Sequence, residues 1–257
     1  VFWATVTAFA VSFFHRETAL FPRRFIKAME PGTTGVLNVA ATCASAGIIV
    51  GVVTLTGLGL KFSSIVIEYA GGSLALTAVY TALIVWIVGL AVPVTASYII
   101  CAVIAAPALI TLGVPDFAAH MFIFYYALLS EVSPPTALSC FAAAAITGAD
   151  PYRTTLHAWK YTMPAFVVPF FFVLDPLGTG VLLQLPKGAS WGEVAWVVFL
   201  IFVAIASLAA GLQGWLLKKT NFLERAMLVI AGALVIIPAG NVDAIGVGLF
   251  ALVFVIQ

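Results

Sequence analysis

The chain has 257 residues, of which 63% are hydrophobic and only 8% are charged, and its formal net charge is +1. Soluble domains carry about 25% charged residues, so this composition cannot cover a water-exposed surface. Its apolar stretches suit spanning helices of about 20 residues better than barrel strands of about 10. The composition predicts an all-α, polytopic membrane protein. Without a polybasic run, it gives no support to nucleic-acid binding.

The first segments are predicted to lie in and on a membrane. Residues 1–14 are apolar and predict the second half of a spanning helix. The next stretch, 15–31, interleaves basic and apolar side chains, which is typical of a segment at a membrane surface, and Pro31 predicts its end. An apolar helix is expected over 34–60. Because the chain opens inside an apolar stretch without a signal-peptide pattern, we expect it to begin within a longer protein. The basic residues of the surface segment are Arg16, Arg23, Arg24 and Lys27.

Two later segments are predicted to be interrupted. Residues 73–112 form two apolar pieces joined by 91–97, and residues 117–147 form two apolar pieces broken at 131–135. Most lysines and arginines fall in loops that this topology places on one side, including 148–160, and that side is predicted to be cytoplasmic. The remaining helices are predicted at 161–177, 191–217 and 226–257, the last with a break at 238–243.

The usual signatures of enzymes are absent from the sequence. It contains no GxSxG, HExxH, Walker lysine loop or GxGxxG motif. Its three histidines and three cysteines are scattered and have no metal-binding spacing. We therefore predict that the protein is not an enzyme and has no cofactor.

The first predicted break contains Gly89, Pro93, Thr95 and Ser97. It offers backbone carbonyls, two hydroxyls and a proline that lacks an amide hydrogen. In a bilayer, freed backbone groups persist only where protein, water or a bound ion supplies partners, and secondary transporters bind their ligands at such breaks. The pattern favours the tip of a re-entrant hairpin. A plain turn between two full spans is the alternative.

The second predicted break is more specific because it holds two consecutive prolines. Pro134 and Pro135 remove two hydrogen bonds from the helix, and Ser133 is pushed towards an extended conformation. Glu131 lies beside them, where a carboxylate-type residue costs about 2.5–3.5 kcal/mol on an insertion scale. Such a residue in a broken helix is a candidate for function. The alternative is an interfacial glutamate that caps the half-helix.

Together these segments resemble the large permease subunit of TRAP (tripartite ATP-independent periplasmic) transporters. The sequence is most similar to permeases in which small and large membrane subunits are fused and which pair with TAXI-type binding proteins. The resemblance covers about residues 15–180, and the two breaks are its most specific parts. The runs that carry it lie at 43–64, 89–109, 120–138 and 141–154.

The resemblance implies half of an elevator-type transporter built from inverted repeats. Residues 1–160 would be the second repeat of the large-permease domain, and 161–257 a C-terminal transmembrane extension. It also implies a multi-pass protein of the bacterial inner membrane. Sodium, a coupling ion rather than a cofactor, would drive uptake of a small organic acid delivered by a periplasmic solute-binding protein.

The family's site is carried over onto the two breaks of this sequence. We expect the tip at 89–97 and the break at 130–136 to face each other. Ser133 stands where the family has threonine and keeps a hydroxyl, whereas Glu131 stands where many relatives have a neutral or small residue. The resemblance implies sodium binding at Gly89, Pro93, Thr95, Ser133 and Pro134. It implies substrate or coupling roles for Ser97, Glu131, Pro135 and Thr136.

Two other functions remain open from the sequence. The first is a carboxylate/cation symporter of similar architecture that works without a binding protein. The second is a membrane scaffold subunit that does not transport, which predicts breaks packed without water and no dependence on ions.

Overall fold

The computed structural model describes residues 2–15, 17–237 and 241–257, apart from the side chains of residues 35, 38 and 39. This described part is almost entirely helical and contains one isolated β-bridge, between Trp215 and Lys219. The all-α prediction is therefore confirmed. The chain divides into two compact units, Val1–Ile48 and Ile49–Gln257. Arg16 and residues 238–240, which include the start of the break predicted near the C-terminus, lie outside the described residues.

The first unit contains helix α1 (Phe2–Ser12) and most of helix α2 (Pro22–Thr56). The prediction that the surface segment ends at Pro31 is wrong, because α2 runs through this residue without interruption. Proline has a φ angle that suits a helix, and within one it removes a single hydrogen bond. The helix continues through Gly32, Thr33 and Thr34 into the apolar stretch that follows.

A glycine ends α2 and separates it from helix α3 (Leu58–Tyr69). Gly57 has φ 66°, a left-handed conformation that favours glycine because it has no Cβ. The predicted helix over 34–60 therefore ends four residues early. Helix α3 packs on a later helix: the Ser63 hydroxyl donates to the Ile104 carbonyl oxygen at 3.1 Å.

The predicted hairpin region contains helix α4 (Leu74–Gly89) and helix α5 (Val94–Thr111), which are joined by an apex of four residues. The sequence predicted a longer link, 91–97. Pro93 explains the difference, because its fixed φ is pre-organised for the start of a helix. Thr95 therefore lies in the first turn of α5 rather than in the link.

The predicted broken helix begins with helix α6 (Asp116–Leu129) and continues as a short 3-10 helix, Ser130–Val132. Residues 133–137 are not helical, and helix α7 (Leu138–Thr147) follows. Prolines at positions 134 and 135 cannot donate backbone hydrogen bonds. Ala137, which precedes α7, has a positive φ of 32°.

The segment after α7 is helical where the sequence predicted a loop. Helix α8 (Pro151–Thr162) begins after Asp150, whose carboxylate accepts a hydrogen bond from the backbone N–H of Arg153 at 2.7 Å. A 3-10 helix (Met163–Val167), helix α9 (Val168–Leu174) and the short helix α10 (Gly178–Val181) follow. The many polar residues of α8 favoured a loop, but they are equally compatible with a surface helix.

Three apolar helices complete the chain: α11 (Trp191–Gln213), α12 (Phe222–Val235) and α13 (Asn241–Ile256). They approach one another closely at glycines. A Cβ on Gly232 would lie 2.6 Å from Leu208 Cγ, and one on Gly246 would lie 2.6 Å from Val235 Cγ2. Such small residues allow close packing of helices in a membrane.

The core of the second unit holds the hairpin against the broken helix. Side chains from α4, α5, α6 and α9 form one buried cluster, in which Leu109, Phe122 and Ile123 are the largest fully buried residues. A second cluster joins Phe171 of α9 to α11. These contacts fix the apex of the hairpin relative to the break in the second segment.

Two of the described helices are long and apolar enough to cross a membrane, Val94–Thr111 and Trp191–Gln213. The pair Ala40–Thr56 and Leu58–Tyr69, which is bent at Gly57, would count as a third if it is one span. Shorter apolar helices include α4, α7 and α13. These helices are consistent with a polytopic membrane protein.

Candidate functional site

The apex of the hairpin and the break in the second segment face each other across a small cavity. The cavity measures about 110 Å³. It lies where α4 ends, α5 begins and α7 begins. The residues that line it are Gly89, Leu90, Ala91, Val92 and Pro93 from the apex, and Ser130, Glu131, Thr136 and Leu138 from the break.

Gly89 is the point of closest approach between the two segments. A Cβ added at this position would lie 2.5 Å from the Ser130 hydroxyl oxygen and 3.3 Å from that of Ser97. The first distance is too short for any side chain to fit without movement. Only glycine allows the end of α4 to lie against the break in this arrangement.

Pro93, which directly precedes α5, also leaves a backbone acceptor at the apex without its usual partner. The Gly89 carbonyl would normally accept a hydrogen bond from the N–H four residues later, but that residue is Pro93. The C-terminal end of α4 therefore brings a carbonyl that its own helix cannot satisfy to a position beside the cavity. Such carbonyl ends favour a cation.

Two helix N-termini also reach the cavity. Pro93 precedes α5, and Leu138 is the first residue of α7. The first N–H groups of a helix have no partners within the helix, and the positive end of the helix dipole favours an anion. The site thus combines helix ends of both polarities, as expected where a cation and a carboxylate bind side by side.

Ser133 lies beneath the cavity rather than in its wall. Its hydroxyl is fully buried, donates to the Leu129 carbonyl oxygen at 2.8 Å and accepts from the Trp86 indole N–H at 3.0 Å. The first of these bonds lies within the broken helix. The second ties this helix to α4.

Ser97 is also buried, and its hydroxyl has no hydrogen-bond partner among the described residues that meets ordinary geometry. Cys101, one turn further along α5, interacts with it, but a thiol is a weak hydrogen-bonding group. A buried hydroxyl without a good partner beside the apex is available to a ligand or to an ordered water.

Glu131 brings the only carboxylate among the residues lining the cavity. It is half-buried and forms no ion pair with another described residue. Its backbone carbonyl oxygen accepts a hydrogen bond from the Ser139 hydroxyl at 3.1 Å, which ties the break to α7. Thr136, from the same break, also lines the cavity.

The remaining predicted site residues lie at the margin. Pro134 is half-buried and Pro135 is exposed, and neither lines the cavity, although together they create the break. Thr95 is exposed and also lies outside the lining. The structure thus brings Gly89, Pro93, Glu131 and Thr136 together, with Ser97 and Ser133 buried beside them.

Ser130 is the residue that sequence reasoning missed. It is buried, lines the cavity and contacts Gly89, while its hydroxyl donates to the Ala127 carbonyl oxygen at 2.7 Å. The available signal was a hydroxyl adjacent to Glu131 at the end of a helix. Among the described residues, no group of three or more His, Cys, Asp or Glu side chains is placed to hold a metal ion.

Apolar helices, a helical hairpin and a broken helix that meet at a small cavity are consistent with a polytopic membrane protein. The family described as "Tripartite ATP-independent periplasmic transporter, DctM component" matches residues 1–176. The chain belongs to this family and is a membrane subunit of a TRAP transporter. Comparison with curated proteins and with solved structures finds no match. Helices α11, α12 and α13 lie outside the matched region.

Proposed function

We propose that this permease couples the uptake of an organic carboxylate to sodium at the cavity between the apex of the hairpin and the break at residues 130–136. A periplasmic binding protein delivers the substrate, and the permease lies in the inner membrane as a multi-pass protein. Residues 1–160 act as the second repeat of the transport domain, and residues 161–257 as a transmembrane extension.

The observation that carries this proposal is the convergence of helix ends with opposite polarity. Carbonyl oxygens at the end of α4 and in the break suit a small hard cation, which prefers oxygen ligands. The N-termini of α5 and α7 suit the carboxylate of the substrate. Glu131 gives the cation a charged neighbour.

The close contact at Gly89 suggests how the two ligands are coupled. A cation that bridges the apex and the break stabilises the arrangement in which Gly89 lies against Ser130. The same arrangement brings the N-terminus of α5 towards the substrate. Binding of one ligand then favours binding of the other, and the coupling is reciprocal.

The buried hydroxyls have different roles in this proposal. Ser97 lies beside Gly89 and, without a strong partner, contributes directly or through water. The Ser133 hydroxyl already makes two hydrogen bonds, so its second lone pair is the one left for a cation. Pro134 and Pro135 keep the break open, and Thr95 stays at the outer edge of the site.

Uptake by the full permease in proteoliposomes tests this function. The vesicles are prepared with an inward sodium gradient or with potassium in its place, each with and without the cognate binding protein. Radiolabelled C4-dicarboxylates, glutamate and keto acids serve as substrates. We expect uptake of at least one acid to require both the gradient and the binding protein.

Each other outcome contradicts a stated part of the proposal. Uptake without the binding protein indicates a symporter that works alone. Uptake that ignores sodium but follows a proton gradient contradicts sodium as the coupling ion. No uptake of any acid by a correctly folded, correctly inserted permease supports a scaffold subunit.

A further inference from the structure

A second, larger pocket lies on the other side of Trp86 from the break. It measures about 430 Å³ and is formed by α4, α6, α8, the following 3-10 helix, α9 and α11. Leu208 and Leu212 of α11 form one wall. The pocket therefore depends on this helix, which lies beyond the region that matches the family. Its other main features are the rings of Trp86, Trp159 and Phe166.

Among the described side chains of the lining, each hydrogen-bond donor is either already bonded or covered by protein atoms. Trp86 donates its indole N–H to Ser133, and the Tyr126 hydroxyl donates to the Phe166 carbonyl oxygen. The Trp159 indole nitrogen is covered by protein atoms. None of the described residues lining the pocket is charged. A carboxylate, an ion or another polar solute therefore finds no partner here, whereas a hydrocarbon needs none.

The pocket opens onto an apolar surface. Val79 and Leu83 of α4 line it and are 39% and 47% exposed, and Met163 on the far side is 36% exposed. In a membrane protein, an exposed apolar surface of this kind is suited to contact with lipid. Hydrocarbon chains of the bilayer are therefore the apolar molecules with direct access to the opening.

We propose that this pocket binds one acyl chain of a membrane phospholipid. The chain lies between α4 and α11 and contacts the ring of Trp86. It fills space that would otherwise deprive the surrounding side chains of van der Waals contacts. Since the N–H of Trp86 is bonded to Ser133, the bound chain lies one residue away from the break in the transport site. The proposal concerns lipid binding and does not rest on transport of sodium or carboxylate.

Photochemical cross-linking in vesicles tests the proposal directly. The full permease is reconstituted in phosphatidylethanolamine and phosphatidylglycerol that contain a small fraction of phosphatidylcholine with a diazirine in the middle of one acyl chain. After irradiation, modified residues are identified by mass spectrometry. We expect lipid adducts at Met163, Phe166 or Leu212.

Pocket-filling substitutions provide the comparison. Leu83→Trp and Leu212→Trp add bulk from opposite walls, and both residues are partly exposed, so neither change needs a buried site to expand. Either substitution is expected to lower the yield of adducts inside the pocket by roughly tenfold. The reason is that a bound acyl chain would overlap the new indole ring, and a modest overpacking penalty weakens binding by about this factor. Ile87→Trp is the matched control, because Ile87 is an exposed residue of α4 outside the pocket. It should leave these adducts unchanged.

Three results would overturn the proposal. The first is the absence of adducts in the pocket when lipid-exposed helices are labelled. The second is equal labelling in Leu83→Trp, Leu212→Trp and Ile87→Trp. The third is a cross-link from Val79 or Met163 to another segment of the permease, detected with photo-reactive amino acids at these positions. That result would mean that protein covers the opening.

Discussion

The helices at the candidate site and those of the C-terminal region begin in contrasting ways. In the C-terminal region, Ser190 and Glu193 form a complete capping box at the start of α11, and Asn221 and Glu224 form another at the start of α12. At the site, α5 and α7 begin without a side-chain cap. Their first backbone N–H groups therefore receive no hydrogen bond acceptor from a capping side chain.

This difference separates a structural helix end from one available to a ligand. Where a side chain a few residues away satisfies the backbone, the helix end is complete and stabilises the fold. Where the partner must come from elsewhere, the end is open to a ligand or to water; α3 and α6 also begin without a side-chain cap, so only the position of α5 and α7 beside the cavity singles them out.

The largest effect is expected for Gly89→Ala. The new Cβ would lie 2.5 Å from the Ser130 hydroxyl oxygen, and overpacking of this kind costs about 1–3 kcal/mol. Uptake by the full permease should fall at least about tenfold, with normal amounts of folded protein. Gly248→Ala, at a helical glycine with no neighbour within 4 Å, is the control.

A compensating change sharpens this test. Ser130→Gly removes the atoms that the new Cβ meets, so Gly89→Ala combined with Ser130→Gly should recover part of the lost uptake. Equal activity of Gly89→Ala and wild type would show that the close contact is not needed for transport.

Glu131→Gln tests the charge in the cavity. Removing a carboxylate near a bound cation should weaken the apparent affinity for sodium by about 1.5–3 kcal/mol, or roughly tenfold or more. Sodium titration of uptake measures this change. Glu68→Gln, an exposed position on α3, should leave it unaltered. If the sodium dependence of Glu131→Gln matches wild type while its dependence on pH is lost, Glu131 carries a proton instead.

Trp86→Phe tests the link between α4 and the break. The phenyl ring keeps most of the packing but cannot donate to Ser133, and loss of one hydrogen bond costs about 0.5–1.5 kcal/mol. Uptake should fall about two- to tenfold. Trp159→Phe is a close control, because its indole nitrogen has no hydrogen-bond partner among the described residues. Equal losses in the two variants would assign the effect to packing of the rings.

The smallest effect on transport is expected in the C-terminal region. Ser190→Ala removes the cap of α11 and should lower the stability of the permease by about 0.5–2 kcal/mol, measured as thermal unfolding in detergent. The rate of uptake at moderate temperature should not change. Ser64→Ala removes an exposed hydroxyl on α3 that caps no helix, and should affect neither property. A large loss of transport in Ser190→Ala would mean that this helix end has a role in the transport cycle.

The sequence predicted the broken helix well because its cause is local. Two adjacent prolines remove two donors wherever they lie, and the structure interrupts the helix at the expected place. The all-α class follows from composition alone.

Features that depend on the start of a helix or on distant contacts were harder to predict. Pro93 directly precedes α5, so the helix begins at Val94 instead of after a longer link, and Thr95 in its first turn is exposed while Ser97 is buried. The importance of Ser130 depends on its contact with Gly89, which is 41 residues earlier in the chain. No local pattern specifies such a pair. Pro31 is the opposite case, since a usual stop signal lies inside a continuous helix.

The central claim is that sodium binds between the apex and the break, and thiol labelling tests it most directly. Ala91→Cys places a thiol at the exposed apex residue that lines the cavity, in a background in which Cys43, Cys101 and Cys140 are replaced by serine. Ile146→Cys, an exposed position on α7 outside the cavity, serves as the control. We predict that sodium, but not potassium, slows the reaction of the thiol at position 91 with a maleimide and leaves that at position 146 unchanged. Identical labelling rates at position 91 in the two salts would contradict the claim.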